Sequence, residues 1–239
     1  MLSAVTFDYW RTLLWEPPGE LERVRVEHWV GLLVEAGHPV DAEQVSEAHG
    51  IAFAHASRSW REGRQYRVEH ATVDMLGHLR LEVGAAVQDA LTHAFSAAGL
   101  RTPLELAPRV EIALSSLRDR GLRLGIVCDV GLTPSPVLRD HLARRGLLGL
   151  FDHWTFSDEV GYYKPAAEPF AHACAGLGVE PAQVAHVGDQ RRTDIVGALA
   201  AGVLAVRYSG VFDDRDELLP GGDVVVSDHG ELLMALGIG

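Results

Sequence analysis

Four aspartates and a single lysine follow apolar runs of this sequence, at places where their side chains can do chemistry. Each run has the length and composition of a buried strand, and the charged residue comes directly after it or within a short loop. These residues are Asp8, Asp129, Lys164, Asp189 and Asp194. Ligands of open parallel sheets bind at the carboxyl ends of the strands, so we expect these groups to meet in one crevice.

Carboxylates at such close quarters repel one another, and cations must offset their charge. Lys164 can neutralise one carboxylate, and a divalent cation can neutralise the others. Because the ligands are oxygen atoms only, they suit Mg²⁺, which binds one or two carboxylates together with waters and phosphate oxygens. With both cations present, a phosphate dianion can approach an aspartate. That aspartate can then act as a nucleophile and form an aspartyl-phosphate.

Lysine occurs only once in the chain, at Lys164, although there are 21 basic residues. A GC-rich genome explains the many arginines, but it does not explain the one lysine that remains in VGYYKPAAEPF. Lysine carries a compact point charge on a flexible stem, which the planar guanidinium of arginine does not reproduce. The count therefore hints at a role for Lys164 that requires an ammonium group.

Strands and helices alternate in the second part of the chain and would position these groups. The sequence predicts strands at 4–7, 122–127, 153–156, 184–187, 204–207 and 224–226. Helices are predicted between these strands, at about 110–120, 135–145, 167–177 and 191–201, with a last short helix at the end. Such alternation with short connections predicts an α/β fold, a parallel sheet that helices cover on both faces.

The segment between the first strand and residue 100 is helical in character and contains no convincing strand. Its first helix can begin at EPPG, because proline suits the first turn, and further helices are predicted at 41–57, 65–82 and 84–98. We therefore predict two domains. Residues 1–15 and 101–239 would form the α/β core, and residues 16–100 would form a helical cap inserted after the first strand.

The composition excludes several classes of partner. The chain has 239 residues and a formal net charge of −12, which argues against nucleic acid or an anionic membrane as a partner. No apolar run reaches the roughly 20 residues of a membrane span, and no secretion signal is recognisable. Two cysteines, Cys128 and Cys174, do not make a disulfide framework. We expect a cytoplasmic protein. The net charge does not exclude a small anionic ligand, because the charges around a binding site decide whether such a ligand binds.

Four motifs resemble those of the haloacid dehalogenase-like hydrolases, in the order and spacing of that family. FDYWRTL is similar to the first motif, DxDxT, and IVCD lies where the family has a strand that ends in Ser or Thr. YYKP resembles the lysine motif, and VGDQRRTD matches GDxxxxD. Each motif alone is weak, but together they cover nearly the whole chain. The resemblance implies a Rossmann-like core, with the helical block in the place where many members carry a cap.

The resemblance implies a catalytic and metal-binding role for each matching residue. Asp8 would be the nucleophile and a ligand of Mg²⁺, and the main-chain carbonyl of Trp10 would be a second ligand. Lys164 would hold Asp8 and the phosphate together electrostatically. Asp189 would bind the metal directly, and Asp194 would support the metal or Lys164.

Contacts to the substrate are expected from the same loops. Lys164 would bind the phosphate, and Thr12 would steady the nucleophile loop. Cys128 replaces a Ser or Thr of the family and is a poor phosphate donor, although main-chain N–H groups after it can serve. Its neighbour Asp129 is a further candidate for substrate binding. Trp10 would either form an aromatic wall for the substrate or pack against the cap.

Trp10 is also the larger departure from the family pattern. Family phosphatases have a second aspartate here, which protonates the leaving group and later activates water. An indole N–H donates a hydrogen bond but does not exchange a proton at working pH. Loss of a general acid–base lowers the rate by roughly 10²–10⁴-fold, and by less when the leaving group is a weak base, as in acyl or aryl phosphates.

The favoured function is Mg²⁺-dependent hydrolysis of a small phosphorylated metabolite, and two alternatives stay open. One is a degenerate member that binds a phosphorylated ligand or a protein partner without turnover. The other is a 2-haloacid dehalogenase, a class that also lacks the second aspartate of the first motif. The resemblance implies that dehalogenases work without a metal and without an intact GDxxxxD, whereas Asp189 and Asp194 are both present here. Substrate identity and oligomeric state stay open.

Overall fold

Six parallel strands form one sheet in the computed structural model, which describes residues 1–238. Its strands are β1 (Ala4–Phe7), β4 (Arg123–Cys128), β5 (His153–Phe156), β6 (Val184–Gly188), β7 (Leu204–Tyr208) and β8 (Val224–Val226). Their order across the sheet is β5-β4-β1-β6-β7-β8, and every neighbouring pair is parallel. The predicted α/β fold with a parallel sheet is thereby confirmed.

Two further strands, β2 (Leu14–Trp15) and β3 (Glu105–Leu106), form a short antiparallel ribbon that the sequence did not predict. Each has only two residues, so neither shows the period-two alternation by which a strand is recognised. Their partner is about 90 residues away in the chain, and only the folded chain brings them together. The ribbon joins the two points where the helical segment leaves and re-enters the α/β part.

Residues 1–238 contain ten α-helices, which accompany these strands or form the helical segment. They are α1 (Glu20–Glu35), α2 (Ala42–Arg61), α3 (Val68–Leu79), α4 (Ala85–Ala97), α5 (Val110–Asp119), α6 (Ser135–Arg144), α7 (Ser157–Val160), α8 (Ala167–Leu177), α9 (Val196–Ala200) and α10 (Leu232–Ala235). Among residues 1–238, none of the helices has the length and apolar character that crossing a bilayer requires.

The chain groups into two units, each with its own core. The α/β unit contains Met1–Trp15, Leu104–Asp129 and the chain from Leu142 onward, and the helical unit contains Glu16–Pro103 and Val130–His141. The helical unit thus has residues 101–103 and 130–141 in addition to the predicted cap of residues 16–100. That this unit acts as a cap stays a prediction.

Large apolar side chains fill the interior of each unit. In the α/β unit, Phe170 and Leu177 of α8 pack with strand residues such as Val184 and Ala205. In the helical unit, the helices bury Trp29, Leu33, Met75, Leu91 and Phe95, each fully inaccessible to solvent. Burial of side chains of this size stabilises a fold by about 1.5–3 kcal/mol each.

The position of β1 at the centre of the sheet determines where the site forms. Phe7, its last residue, pairs with Ile126 of β4 on one side and with Val187 of β6 on the other. Because all three strands run the same way, their carboxyl ends lie side by side at one edge of the sheet. The charged residues that follow these strands are therefore brought together.

Candidate active site

Asp8 directly extends the central strand into the site. Its backbone N–H donates to the carbonyl of Val187 at 2.8 Å, which continues the pairing of β1 with β6 by one residue. The residue is only 7% exposed. Burial raises the pKa of Asp8 from its ordinary 3.8 to about 6, since the loss of hydration outweighs the attraction of Lys164.

Lys164 is buried at the centre of the charged cluster. Its Nζ donates to Oδ1 of Asp8 at 2.6 Å, to Oδ1 of Asp194 at 2.5 Å and to the carbonyl of Val127 at 2.9 Å. Three acceptors thus match the three protons of the ammonium group. Burial opposes its charge, but the two carboxylates more than offset this and raise the pKa of Lys164 well above its usual value.

Asp129 contacts the backbone of the lysine rather than its ammonium group. Its Oδ1 accepts from the main-chain N–H of Lys164 at 2.9 Å. This bond joins the loop after β4 to the loop that carries the lysine. The predicted substrate contact of Asp129 stays a prediction, and the contact present is one that positions Lys164.

Asp194 is held in place by several donors from its own region. Its Oδ1 accepts from Nε2 of His186 at 3.1 Å as well as from Lys164, and its Oδ2 accepts from the backbone N–H of Gln190 at 3.0 Å. Burial opposes ionisation, yet Lys164 and His186 outweigh it and hold the pKa of Asp194 below its usual range. A side chain at Gly188 would collide with this carboxylate, which explains the glycine of the GDxxxxD motif.

The local backbone around Asp194 also differs from the predicted helix 191–201. Arg191–Ile195 form a turn of π-helix, and α9 begins only at Val196. The wider turn places Asp194 back toward the end of β6, where its carboxylate meets the N–H of Gln190. Single π turns of this kind occur often at functional sites.

Asp189 completes the cluster and has a different cation beside it. Its side chain is buried, and its Oδ2 lies 3.1 Å from Nε of Arg11. Burial and the charges of Asp8 and Asp194 raise the pKa of Asp189 well above its usual value. The guanidinium of Arg11 also lies over the ring of Phe212, at 4.3 Å from its centroid.

Three carboxylates therefore lie close enough to share one cation. Each of Asp8, Asp189 and Asp194 offers an oxygen, and these atoms all lie within 4.8 Å of one another. The donors are hard oxygens, and burial together with the neighbouring acids raises the pKa of Asp8 and of Asp189. This donor set fits Mg²⁺.

The first motif forms a tight loop between Asp8 and the ribbon. Trp10 is partly buried, and its ring meets the ring of Tyr9 edge-on at 5.3 Å. The loop is closed by backbone hydrogen bonds, among them Arg11 N–H to the carbonyl of Leu14 at 2.7 Å. The indole of Trp10 thus lies two residues after Asp8 in this loop.

Thr12 is fully buried at the end of this loop. Its Oγ1 makes no hydrogen bond within residues 1–238, whereas its carbonyl accepts from Nε2 of His229 at 2.7 Å. The imidazole of His229 stacks on Tyr208 with ring centroids 4.3 Å apart. The contact that steadies the loop at Thr12 is therefore made by its backbone, and a role of its hydroxyl stays a prediction.

Cys128 is buried at the end of β4. Its Sγ lies 3.6 Å from the carbonyl of Asp129, and burial raises the pKa of the thiol well above its usual value. The thiol is therefore protonated near neutral pH and is a weak nucleophile. Its place next to Val127, whose carbonyl binds Lys164, agrees with a position at the site.

Comparison with known protein families identifies the chain. A family model described as haloacid dehalogenase-like hydrolase matches residues 3–202, which is most of the chain. The chain belongs to this family. The resemblance predicted from the four motifs is thereby confirmed, and the charged cluster lies in the matched part of this hydrolase.

Several curated relatives of this hydrolase are phosphatases. A phosphoserine phosphatase of Thermus thermophilus is 35% identical over 157 residues, which are 64% of this chain and 60% of that protein. A glyceraldehyde 3-phosphate phosphatase of Methanothermobacter thermautotrophicus is 33% identical over 124 residues, which are 51% of this chain and 54% of that protein. The chain thus matches about half to three fifths of the length of these relatives.

Solved structures share the fold of this hydrolase over nearly the full chain. A HAD phosphatase from Thermococcus onnurineus superposes with a TM-score of 0.67 at 24% identity, covering 99% of this chain and 98% of its own. A 2-haloacid dehalogenase from Pseudomonas syringae pv. Tomato DC3000 reaches a TM-score of 0.74 at 22% identity, covering 99% of both chains. At these identities the likeness shows the fold alone.

Three residues of the site were not predicted from the sequence. His186 lies in the apolar strand VAHV, where a polar residue inside a buried run was a signal that could have been used. Arg11 lies between two predicted site residues, but its ion pair with Asp189 depends on the conformation of the loop. His229 is 217 residues from Thr12 in the chain, and no local pattern indicates its contact.

Proposed function

We propose that this hydrolase is a Mg²⁺-dependent phosphatase that forms an aspartyl-phosphate on Asp8. The observation that carries the proposal is the buried cluster in which Asp8 touches Lys164 and shares a cation-sized space with Asp189 and Asp194. A carboxylate flanked by an ammonium group and by further acids suits attack on a dianionic phosphorus centre, provided that cations neutralise the charge.

Asp8, Asp189 and the main-chain carbonyl of Trp10 are the proposed direct ligands of Mg²⁺. Asp194 would support them from behind, because both of its oxygens already accept hydrogen bonds from neighbouring groups. When bound, Mg²⁺ neutralises phosphate charge and polarises the phosphorus centre.

The reaction is proposed to run in two steps on Asp8. An oxygen of Asp8 forms a bond to phosphorus, and the bond to the leaving oxygen breaks, with the electron pair going to the leaving group. Water then attacks phosphorus and releases inorganic phosphate and free Asp8. Lys164 would stabilise the charge that builds up on the phosphoryl oxygens, and main-chain N–H groups after Cys128 would bind the same oxygens.

The side chains supply no general acid at position 10, which bears on the substrate class. Since the indole of Trp10 does not deliver a proton, substrates whose leaving group is a weak base would react best. Acyl and aryl phosphates belong to this class. The names of the relatives, which act on phosphoserine and glyceraldehyde 3-phosphate, support a small phosphorylated metabolite as the substrate.

Dehalogenation is the second candidate, and the tryptophan at position 10 is the observation that favours it. The structural likeness to a 2-haloacid dehalogenase is compatible with this candidate, although that likeness concerns the fold alone. Asp189 and Asp194 weigh against dehalogenation, because a reaction without a metal does not need two further carboxylates beside Asp8. A purely ligand-binding role is the third candidate.

A panel of acyl, aryl and alkyl phosphates, assayed with Mg²⁺, tests the proposal. The wild type is expected to release phosphate from at least one class, and Asp8→Asn is expected to abolish this release, since an amide is not a nucleophile. Asp119→Asn, at an exposed position of α5, is the matched control and should behave as wild type. The expected loss is at least about 10⁴-fold.

Two outcomes would overturn the phosphatase proposal. Absence of phosphate release from every class would leave a binding role. Halide release from a 2-haloacid, unaffected by EDTA and dependent on Asp8, would instead establish dehalogenation.

A further inference from the structure

Arg11 occupies an unusual backbone position in the first motif. Its φ of 61° lies in the left-handed region, which favours glycine, and side chains are rarely placed there. Glycine in its place would adopt the same conformation more easily. The arginine therefore occupies a backbone conformation that disfavours a side chain. Its side-chain contacts are the property that a glycine in this place would lack.

The side chain of Arg11 is an ionic partner of Asp189, but the two are not joined by a well-aligned hydrogen bond. Nε lies 3.1 Å from Oδ2 of Asp189, and this buried oxygen has no hydrogen-bond donor within residues 1–238. A charge contact without hydrogen-bond alignment is weaker than a charge-assisted hydrogen bond. This oxygen therefore keeps its capacity to bind a stronger partner.

The cations of the cluster divide the three acids between them. Lys164 contacts Asp8 and Asp194, and its side chain is only 2% exposed. Arg11 contacts Asp189, and its side chain is 37% exposed. Of these two cations only the arginine has access to solvent, so its own charge can stay hydrated when it leaves Asp189.

We propose that Arg11 is the counter-ion of Asp189 in the metal-free protein, and that Mg²⁺ reaches Asp189 by displacing its guanidinium. Arg11 then raises the Mg²⁺ concentration at which the site fills. The inference rests on the proposed function only in taking Asp189 as a ligand of Mg²⁺. The guanidinium also lies over the ring of Phe212, at 4.3 Å from its centroid, and this contact does not involve Asp189.

Binding of Mg²⁺, measured by isothermal titration calorimetry without substrate, tests the inference. Arg11→Gly and Arg11→Gln are expected to bind Mg²⁺ about 5-fold more tightly than wild type, because no cation has to be displaced from Asp189. The rise in Tm on addition of Mg²⁺ should also be larger in both variants. Arg11→Gln keeps a side chain in the left-handed position, so agreement between the two variants assigns the effect to charge.

Arg80→Gly is the matched control for an arginine-to-glycine change away from Asp189. Arg80 has nearly the same φ, 56°, and lies in the helical unit at the end of α3. This variant makes the same arginine-to-glycine change in the same conformation and should bind Mg²⁺ as wild type does. A gain in affinity here would show that the arginine-to-glycine change raises Mg²⁺ affinity without the ion pair to Asp189, and would overturn the inference.

The outcomes separate this inference from the proposed function. Unchanged or weaker Mg²⁺ binding in both Arg11 variants, beside measurable binding by wild type, overturns the inference alone. If the Arg11 variants bind Mg²⁺ more tightly but the wild type hydrolyses no phosphate, the inference is supported and the phosphatase proposal is overturned. Absence of Mg²⁺ uptake by all proteins, with inorganic phosphate present as well, overturns both.

Discussion

Each unit of the molecule buries a cation, and the two cations have opposite surroundings. In the α/β unit, Lys164 is bound by two carboxylates. In the helical unit, Arg25 donates to the carbonyls of Phe95 at 3.3 Å and Leu132 at 2.8 Å and to the hydroxyl of Thr133 at 3.0 Å. Lys164 thus meets charges, whereas Arg25 meets mainly dipoles.

The pKa values of the two cations follow this difference. Burial lowers the pKa of Arg25 to about 9, because the attraction of Glu16 only partly offsets the loss of hydration. The pKa of Lys164 is instead well above its usual value, because the surrounding acids more than compensate burial. A buried cation bound by dipoles serves the packing of its unit. A buried cation inside an excess of acids marks a place where a further cation can bind.

Replacement of each buried cation by methionine gives the largest expected effects. Lys164→Met should lower phosphatase turnover by at least about 10³-fold, because the phosphoryl charge loses its ammonium partner. Arg25→Met should lower the free energy of unfolding by about 3 kcal/mol, because three buried acceptors lose their donor. Steady-state kinetics and urea unfolding, each with and without Mg²⁺, measure both.

The response to Mg²⁺ distinguishes the two variants. Lys164→Met should regain stability when Mg²⁺ is added, since the cation neutralises the three acids that remain. Arg25→Met should gain no more from Mg²⁺ than wild type does. Equal rescue of both variants would contradict the division into a site cluster and a packing cluster.

Replacement of Trp10 is expected to act on one step only. Trp10→Asp should raise the rate with alkyl phosphates about 10-fold, because a carboxyl group can protonate a basic leaving group. The rate with acyl phosphates should change little, since their leaving group needs no proton. Comparison of kcat/KM for the two classes measures this. Trp60→Asp, in α2 of the helical unit, is the control. The hypothesis of a missing acid is wrong if every rate of Trp10→Asp equals that of wild type.

Asp8 of the α/β unit and His49 of the helical unit are expected to contribute to the pH dependence of stability in opposite directions. In the metal-free protein Asp8, which faces Lys164, Asp194 and Asp129, has a pKa of about 6 against 3.8 when unfolded. Between these values the folded protein binds the extra proton, so stability falls as pH rises from about 4 to 6. His49 of the helical unit, which faces Arg25 and Glu22, has a pKa of about 4 against 6.5 when unfolded. Its contribution to stability is complete above pH 6.5 and is lost as pH falls toward 4.

Urea unfolding of wild type, Asp8→Asn and His49→Gln at pH 4.5 and pH 6.5, with EDTA, measures these contributions. Relative to wild type, Asp8→Asn should gain at least about 1 kcal/mol of unfolding free energy on going to the higher pH. His49→Gln should gain a similar amount on going to the lower pH. A change of the same sign in both variants would refute the assignment.

Much of the fold could be predicted because its elements are encoded locally. The strands Ala4–Phe7, His153–Phe156 and Val224–Val226 and the helix Ala167–Leu177 have the predicted boundaries. Each is a short apolar run or an amphipathic stretch with a turn residue at its end, and such patterns are complete within a few residues. The π turn at Arg191–Ile195 was missed, since it follows from the position of Asp194 at Gly188 and not from propensity.

The sequence by itself determined the α/β fold, the family and the identity of the acids and the lysine that follow the strands. Only the tertiary structure decided which acid pairs with which cation: Lys164 with Asp8 and Asp194, and Arg11 with Asp189. The physical reason is the separation along the chain over which each kind of interaction acts. Strand and helix patterns depend on neighbours in the chain, whereas a charge interacts with whatever the fold places within a few ångströms, however distant in sequence.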